Sequence, residues 1–291
     1  MSMTTTTRPP LVSRLIGLRR ARLSVRTLLP GGFLILILLS AIFADVLAPF
    51  DPNAHNLSVF LSEPGGEYLM GTDALGRDVF SRLMHGGRVS LLVGISSVGV
   101  ALVIGVFMGI MSAMIGGWFG EAVMRLTDLF LSLPAVLIAL AVAATVGPSL
   151  PNVILIIGLI YWAQFARMVR GEALSLRELD YVQAAYAVGC SPIRLLWLHV
   201  LPNLVNTIIV MATLQIAAAI LLESTLSFLG VGVPPPTPTW GTMVAEGRPY
   251  VELGWWTVTF PGFAIMITVL SINLLGDVLR DRLDPKFNRS R

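Results

Sequence analysis

Six long apolar stretches dominate the chain, at about residues 28–49, 89–115, 126–146, 153–169, 205–228 and 255–277. Each can cross a hydrocarbon core about 30 Å thick as a helix. The pattern predicts an all-α polytopic membrane protein of six transmembrane helices, with a polar loop at 50–88 and a polar connector at 170–204. The fourth stretch is interrupted near its end by Gln164 and Arg167. The second carries Gly105 and Gly109 as a G-x-x-x-G pair, which lets helix backbones approach closely in lipid and suits packing within one bundle. Pro134 and Pro261 each remove a backbone donor and predict kinks. The small residues of "SAIFADVLA" also allow a cleaved signal peptide, but the basic lead of 28 residues is long for one.

Composition strengthens the membrane reading: 55% of residues are hydrophobic and 13% charged, about half the charged share of a soluble domain. Charge placement adds an orientation. Residues 1–28 hold six arginines and no acid. With that end in the cytoplasm, sixteen basic residues fall inside and four outside, which satisfies the positive-inside tendency and puts both termini in the cytoplasm. The net charge of +3 is too small to suggest nucleic acid. A lone cysteine, Cys190, excludes an intrachain disulfide. Nineteen of the twenty basic residues are Arg, and the one Lys, Lys286, has no glycine-rich turn before it. A phosphate loop of the Walker type needs both, so the chain is expected to bind no ATP by that route.

Charged groups at membrane depth are costly and draw attention to function. Asp45, Asp128 and Asp277 fall near the ends of their stretches, whereas Glu223 in "ILLESTLSFLG" sits farthest in. Glu223 either lines a path or bonds to a neighbouring helix. No chain of intramembrane ionisable residues supports an ion-coupled secondary transporter, and no H-E-x-x-H or G-x-S-x-G supports a membrane enzyme.

The segment "SLRELDYVQAAYAVGCSPIRLLWLHVLPN" at 175–203 is the most structured polar stretch. Ser175 and Glu178 read as a capping box opening a helix, with Leu179, Val182 and Tyr186 as its apolar stripe. Gly189 falls at a left-handed cap, and Ser191-Pro192 restarts a helix. The nearly bare face around Ala184, Ala185 and Gly189 suits a close protein contact; an amphipathic connector resting on the membrane is the other reading. In the loop at 50–88, Val79, Phe80, Leu83 and Met84 share one side of a short interfacial helix, and Arg77–Asp78 reads as a local pair. The proline run at 234–236 predicts a stiff extended path, and Trp240 and Trp255-Trp256 read as interfacial anchors.

The stretch "QAAYAVGCSPIRLLWLHVLP" resembles the E-A-A-x3-G-x9-I-x-L-P signature of permease subunits in binding-protein-dependent ABC importers. Ala184, Ala185, Gly189, Leu201 and Pro202 match it. "GTDALGRDVFSRLMHGGRVSL", "ESTLSFLGVGVPPPTPTWG" and "NLLGDVLRDRLDPK" are similar to the C-type subunit of the dipeptide, oligopeptide and nickel permeases, and only about the first 28 residues fall outside the likeness. The resemblance implies a type I ABC importer permease fold in the bacterial cytoplasmic membrane. Its partners would be a B-type permease, two ATPase subunits that carry ATP and magnesium, and an extracytoplasmic substrate-binding protein. It makes Asp180, Gln183, Ala184, Ala185, Tyr186, Gly189, Leu201 and Pro202 the coupling helix and its flank. Asp73, Arg77, Asp78, Arg82 and Trp240 would meet the binding protein or cap the outer mouth. Peptides are the implied cargo, with nickel chelates, glutathione and haem-like molecules as alternatives. Two positions depart from the pattern: Gln183 where Glu is usual, and Tyr186 where a basic residue is frequent.

Overall fold

The computed structural model describes residues 25–283. Residues 1–24 of the basic leading segment and the tail with Lys286 lie outside the described residues. Nine principal helices are described: α1 Val25–Ile42, α2 Val79–Ile115, α3 Gly117–Ser132, α4 Ala135–Val146, α5 Leu150–Arg177, α6 Asp180–Ala187, α7 Leu201–Phe228, α8 Trp240–Gly247 and α9 Trp256–Leu283. No strand occurs among the described residues beyond two isolated bridges in the 65–78 loop. The runs Val79–Ile115, Leu150–Arg177, Leu196–Phe228 and Trp256–Leu283 are long and apolar enough to cross a membrane. The α3–α4 pair is a bent fifth candidate, and α1 is a shorter apolar helix.

Helix α5 is the centre of the bundle, with Ile157, Phe165 and Val169 fully buried. It packs along α2 in the same direction, and glycines decide how closely. A Cβ on Gly105 would stand 2.5 Å from the Trp162 carbonyl oxygen, and one on Gly109 2.7 Å from that of Ala166. A Cβ on Gly158 would meet Val100 at 2.7 Å. The G-x-x-x-G pair is thus the α2 surface against α5, where van der Waals contact replaces the weak hydrophobic drive of lipid. Helix α7 runs antiparallel to α5, joined by a hydroxyl bond of Tyr161 to the Ala218 carbonyl at 3.2 Å and by a Gln215–Gln164 amide bond.

Several helix boundaries depart from the apolar pattern. Helix α2 begins at Val79 instead of near residue 89, because Asp78 caps it by accepting from the Ser81 amide at 2.8 Å. It is 37 residues long, about 55 Å at roughly 1.5 Å per residue, so it projects well past a hydrocarbon core unless tilted. No separate interfacial helix exists there: Val79–Met84 is the first part of α2, and Ser81 and Arg82, off the expected apolar side, are buried too. The third apolar stretch is broken at Leu133-Pro134, where α3 and α4 meet at 96°. Leu133 is extended (φ −98°, ψ 143°), as steric conflict with a following proline favours. Pro261, also expected to kink its helix, lies within the uninterrupted α9.

The chain direction defines two ends of the bundle. The starts of α2 and α9 and the finish of α7 gather with the 45–78 loop and α8 at one, the loop end. The finish of α2, the finish of α5 and α6 gather at the other, the connector end.

Candidate functional site

At the loop end the chain gathers a balanced set of charges, with Asp73, Arg77 and Arg82 buried and Glu246 half-buried. Arg77 Nε donates to Asp73 Oδ2 at 2.6 Å, and its Nη2 to Glu246 Oε2 at 2.6 Å. Arg82 Nη2 donates to the same Glu246 oxygen at 2.8 Å, while its Nε lies 3.6 Å from Asp73. Arg82 is only 2% exposed. A buried guanidinium is tolerable when its donors and charge are matched, and two acids serve two arginines here. The four side chains border a cavity of about 240 Å³ that Tyr250 and Thr257 also line. Arg77 does not pair with Asp78, whose carboxylate caps α2 through the amide and hydroxyl of Ser81. Glu246 is the member that sequence reasoning missed. It stands 164 residues from Arg82, and no local pattern connects them.

Trp240 is a core residue, not an interfacial anchor: it is 3% exposed, and its Nε1 donates to the Leu83 carbonyl at 3.0 Å. Its ring lies over Gly87, where a Cβ would approach to 2.8 Å. Trp256 is buried likewise, donating to the Thr72 carbonyl at 3.0 Å, while Trp255 is exposed. Glu223 is fully buried and receives Ser227 Oγ at 2.7 Å and Ser90 Oγ at 3.3 Å. Ser90 Oγ in turn accepts the Trp240 amide at 3.2 Å. The carboxyl therefore bonds neighbouring elements through hydroxyl groups. Helix α8 is held at its start by this hydroxyl network and near its finish by Glu246 on two arginines.

The connector end is built differently. Ser175 does not open a helix: it lies in the last turn of α5 and its hydroxyl donates to the Gly171 carbonyl at 3.2 Å. Glu178 is the C-cap of α5. Arg177 holds that last turn onto α2 by donating to the Ala113 carbonyl at 2.6 Å, and this tertiary contact outweighs the local capping signal. Leu179 is extended and α6 starts at Asp180, an acid suited to a helix N-terminus. Helix α6 ends as its residues predict. Gly189 takes φ +87°, its amide reaches the Tyr186 carbonyl at 3.0 Å, and the Cys190 amide reaches that of Ala185 at 3.1 Å. This is the bond pair of a Schellman cap. Ser191 then caps the next turn, accepting the Arg194 amide at 3.4 Å. The turn Leu196–Val200 is π-helical and leads into α7, a local widening that fits Pro202, which has no amide for the Leu198 carbonyl.

Of the expected apolar stripe only Val182 is buried, at 2% exposure among Leu195, Val200, Leu204 and Ile110. Leu179 and Tyr186 are 43% and 69% exposed. Asp180, Gln183, Ala184, Gly189 and Pro202 are exposed too, and Ala185 and Leu201 half-buried. A shallow cleft of about 540 Å³ runs over Ala184, Ala185, Gly189 and Arg194. Helix α6 thus stands on one buried valine with its small-residue face open. No group of His, Cys, Asp or Glu able to hold a metal ion occurs among the described residues.

Comparisons with known proteins agree with this architecture. Residues 101–289 match the family model described as binding-protein-dependent transport system inner membrane component. The di/tripeptide transport system permease protein DppC of Pseudomonas aeruginosa is 43% identical over 268 residues, covering 89% of this chain and 88% of that one. The probable D,D-dipeptide transport system permease protein DdpC of Escherichia coli is 42% identical over 89% of this chain and 87% of its own length. Among solved structures, the inward-facing MetNI methionine ABC transporter aligns with TM-score 0.57 and 19% identity, covering 70% of this chain and 96% of that chain. The last likeness is one of fold: the helical arrangement is that of a type I ABC importer permease. The chain is a multi-pass membrane protein and belongs to the family of inner membrane components of binding-protein-dependent transport systems.

Proposed function

We propose that this chain is the C-type permease subunit of a peptide importer in a bacterial cytoplasmic membrane, forming half of the translocation path. Its connector end lies in the cytoplasm and its loop end outside. A B-type permease supplies the other half, two ATPase subunits bind ATP and magnesium beneath, and a binding protein delivers cargo. The chain contributes no chemistry of its own. The peptide assignment is supported by the names of its relatives, which transport di-, tri- and D,D-dipeptides.

The observation that carries the mechanism is the open face of α6. A helix anchored by Val182 alone, with Gln183, Ala184 and Gly189 exposed beside a cleft, is shaped to receive another protein. Docked there, an ATPase subunit moves α6, and α6 moves α7 through the continuous run from Pro192 to Phe228. The bonded loop end serves as the outer mouth for the binding protein, where Asp73, Arg77 and Arg82 hold α8 through Glu246, Trp240 fixes its start on α2, and Asp78 caps α2.

Purification from the native host tests this. The tagged chain is expected to bring ATPase subunits in stoichiometric amount, and the reconstituted complex to hydrolyse ATP faster when peptide-loaded binding protein is added. A chain that arrives alone and still transports would sink the proposal.

A further inference from the structure

Helix α3 carries exposed polar groups to which the proposed mechanism gives no role. Glu121, Arg125, Asp128 and Ser132 recur at helical spacing on one face and all are exposed. The neighbouring face is exposed as well but apolar, with Trp118 at 84%, Leu129 at 62% and Leu133 at 57%. The helix therefore presents two chemically different surfaces outward.

The depth of the polar face follows from four contacts along α5. Arg177 bonds the Ala113 carbonyl at 2.6 Å, Arg170 the Gly120 carbonyl at 2.7 Å, and Arg167 pairs with Asp128. Phe130 packs edge-on against Trp162, ring centres 5.7 Å apart. Helix α3 thus climbs antiparallel to α5, from the connector end towards the middle of the bundle. Arg167 lies ten residues before Arg177, about 15 Å along a helix axis. At that depth the Asp128–Arg167 side chains are still 58% and 52% exposed.

Headgroups can meet Glu121 and Arg125 near the connector end; deeper in, three surroundings could meet the face at Asp128 and Arg167. Lipid is the worst, since charged side chains at membrane depth face a bundle interior or water. A tight contact with a second permease is little better, because the centres of protein interfaces are depleted of charge. Water remains. We propose that Glu121, Arg125, Asp128, Ser132 and Arg167 form a water-exposed wall of the translocation path in its cytoplasmic half, ending at the α3–α4 break. Two acids and two arginines leave the wall without net charge, which suits cargo bearing both an ammonium and a carboxylate. The inference rests on the importer reading above, but its test needs no cargo.

The sole cysteine makes the test direct. In a Cys190→Ser background, Glu121→Cys, Arg125→Cys and Ser132→Cys are compared with Trp118→Cys and Leu129→Cys. Each variant is checked for co-purifying ATPase, so that only assembled complexes count. Inside-out vesicles are treated with a charged, membrane-impermeant methanethiosulfonate. The three polar positions are expected to react about tenfold faster or more than the two apolar ones, as a water-filled lining requires. Equal rates across all five, or protection of the three polar positions, overturns the proposal. If the wall is labelled while the complex moves no peptide, the peptide reading fails and the wall stands.

Discussion

The two ends of the bundle follow opposite plans. At the loop end charges are buried and matched within the chain, and Trp240 leaves no room for a side chain on Gly87. At the connector end Gly171 and Gly189 have no atom within 4 Å of where a Cβ would stand, and α6 buries one side chain, Val182. The loop end is complete in this chain alone. The connector end leaves the small-residue face of α6 uncovered, and on the proposed reading that face receives the ATPase.

That contrast can be broken by substitution. Arg82→Met should be the most damaging change, because it leaves Asp73 and Glu246 with the Arg77 guanidinium alone between two carboxylates. A loss of about 3–5 kcal/mol is expected for breaking a buried ion network, read as a lower unfolding midpoint in detergent; an unchanged midpoint would show that the loop end is not internally held. Ala184→Trp should do the reverse, moving the folding free energy by less than about 0.5 kcal/mol, as surface changes usually do, while abolishing co-purification of ATPase. Should the ATPase remain bound, α6 is not the docking face. Gln183→Glu is the gentlest. Transport should persist, and ATPase coupling should become more sensitive to added salt, since a new charge at an exposed contact is screened. A large loss of coupled ATPase activity would count against Gln183 lying at that contact.

Legibility in the sequence divides along the same line. The apolar stretches predict the helices because lipid imposes one rule on every residue of a span. The turn at Gly189 was readable because a Schellman cap is local, and Gly, Cys and Ser lie in consecutive positions. The loop-end cluster was not readable: Glu246 joins Arg77 across 169 residues, and nothing near either arginine announces a partner. Ser175 shows the converse failure, a sound local capping signal overruled by Arg177 holding α5 onto α2. The break at Pro134 was half visible. Proline predicted a kink, but the 96° turn depends on what α3 and α4 each pack against.

The arginines of α5 carry a consequence for how this protein can vary over time. Two of the three rungs end on main-chain carbonyls, those of Ala113 and Gly120, and only Asp128 offers a side chain. Segment 113–120 could therefore exchange Ala113 for another small residue without loosening its hold on α5. Loss of Arg170 or Arg177 would remove its bond outright, leaving only the packing of α2 on α5. A lineage drifting under selection for this joint would show freedom at Ala113 and constancy at Arg170 and Arg177, although the two sides are bonded to each other.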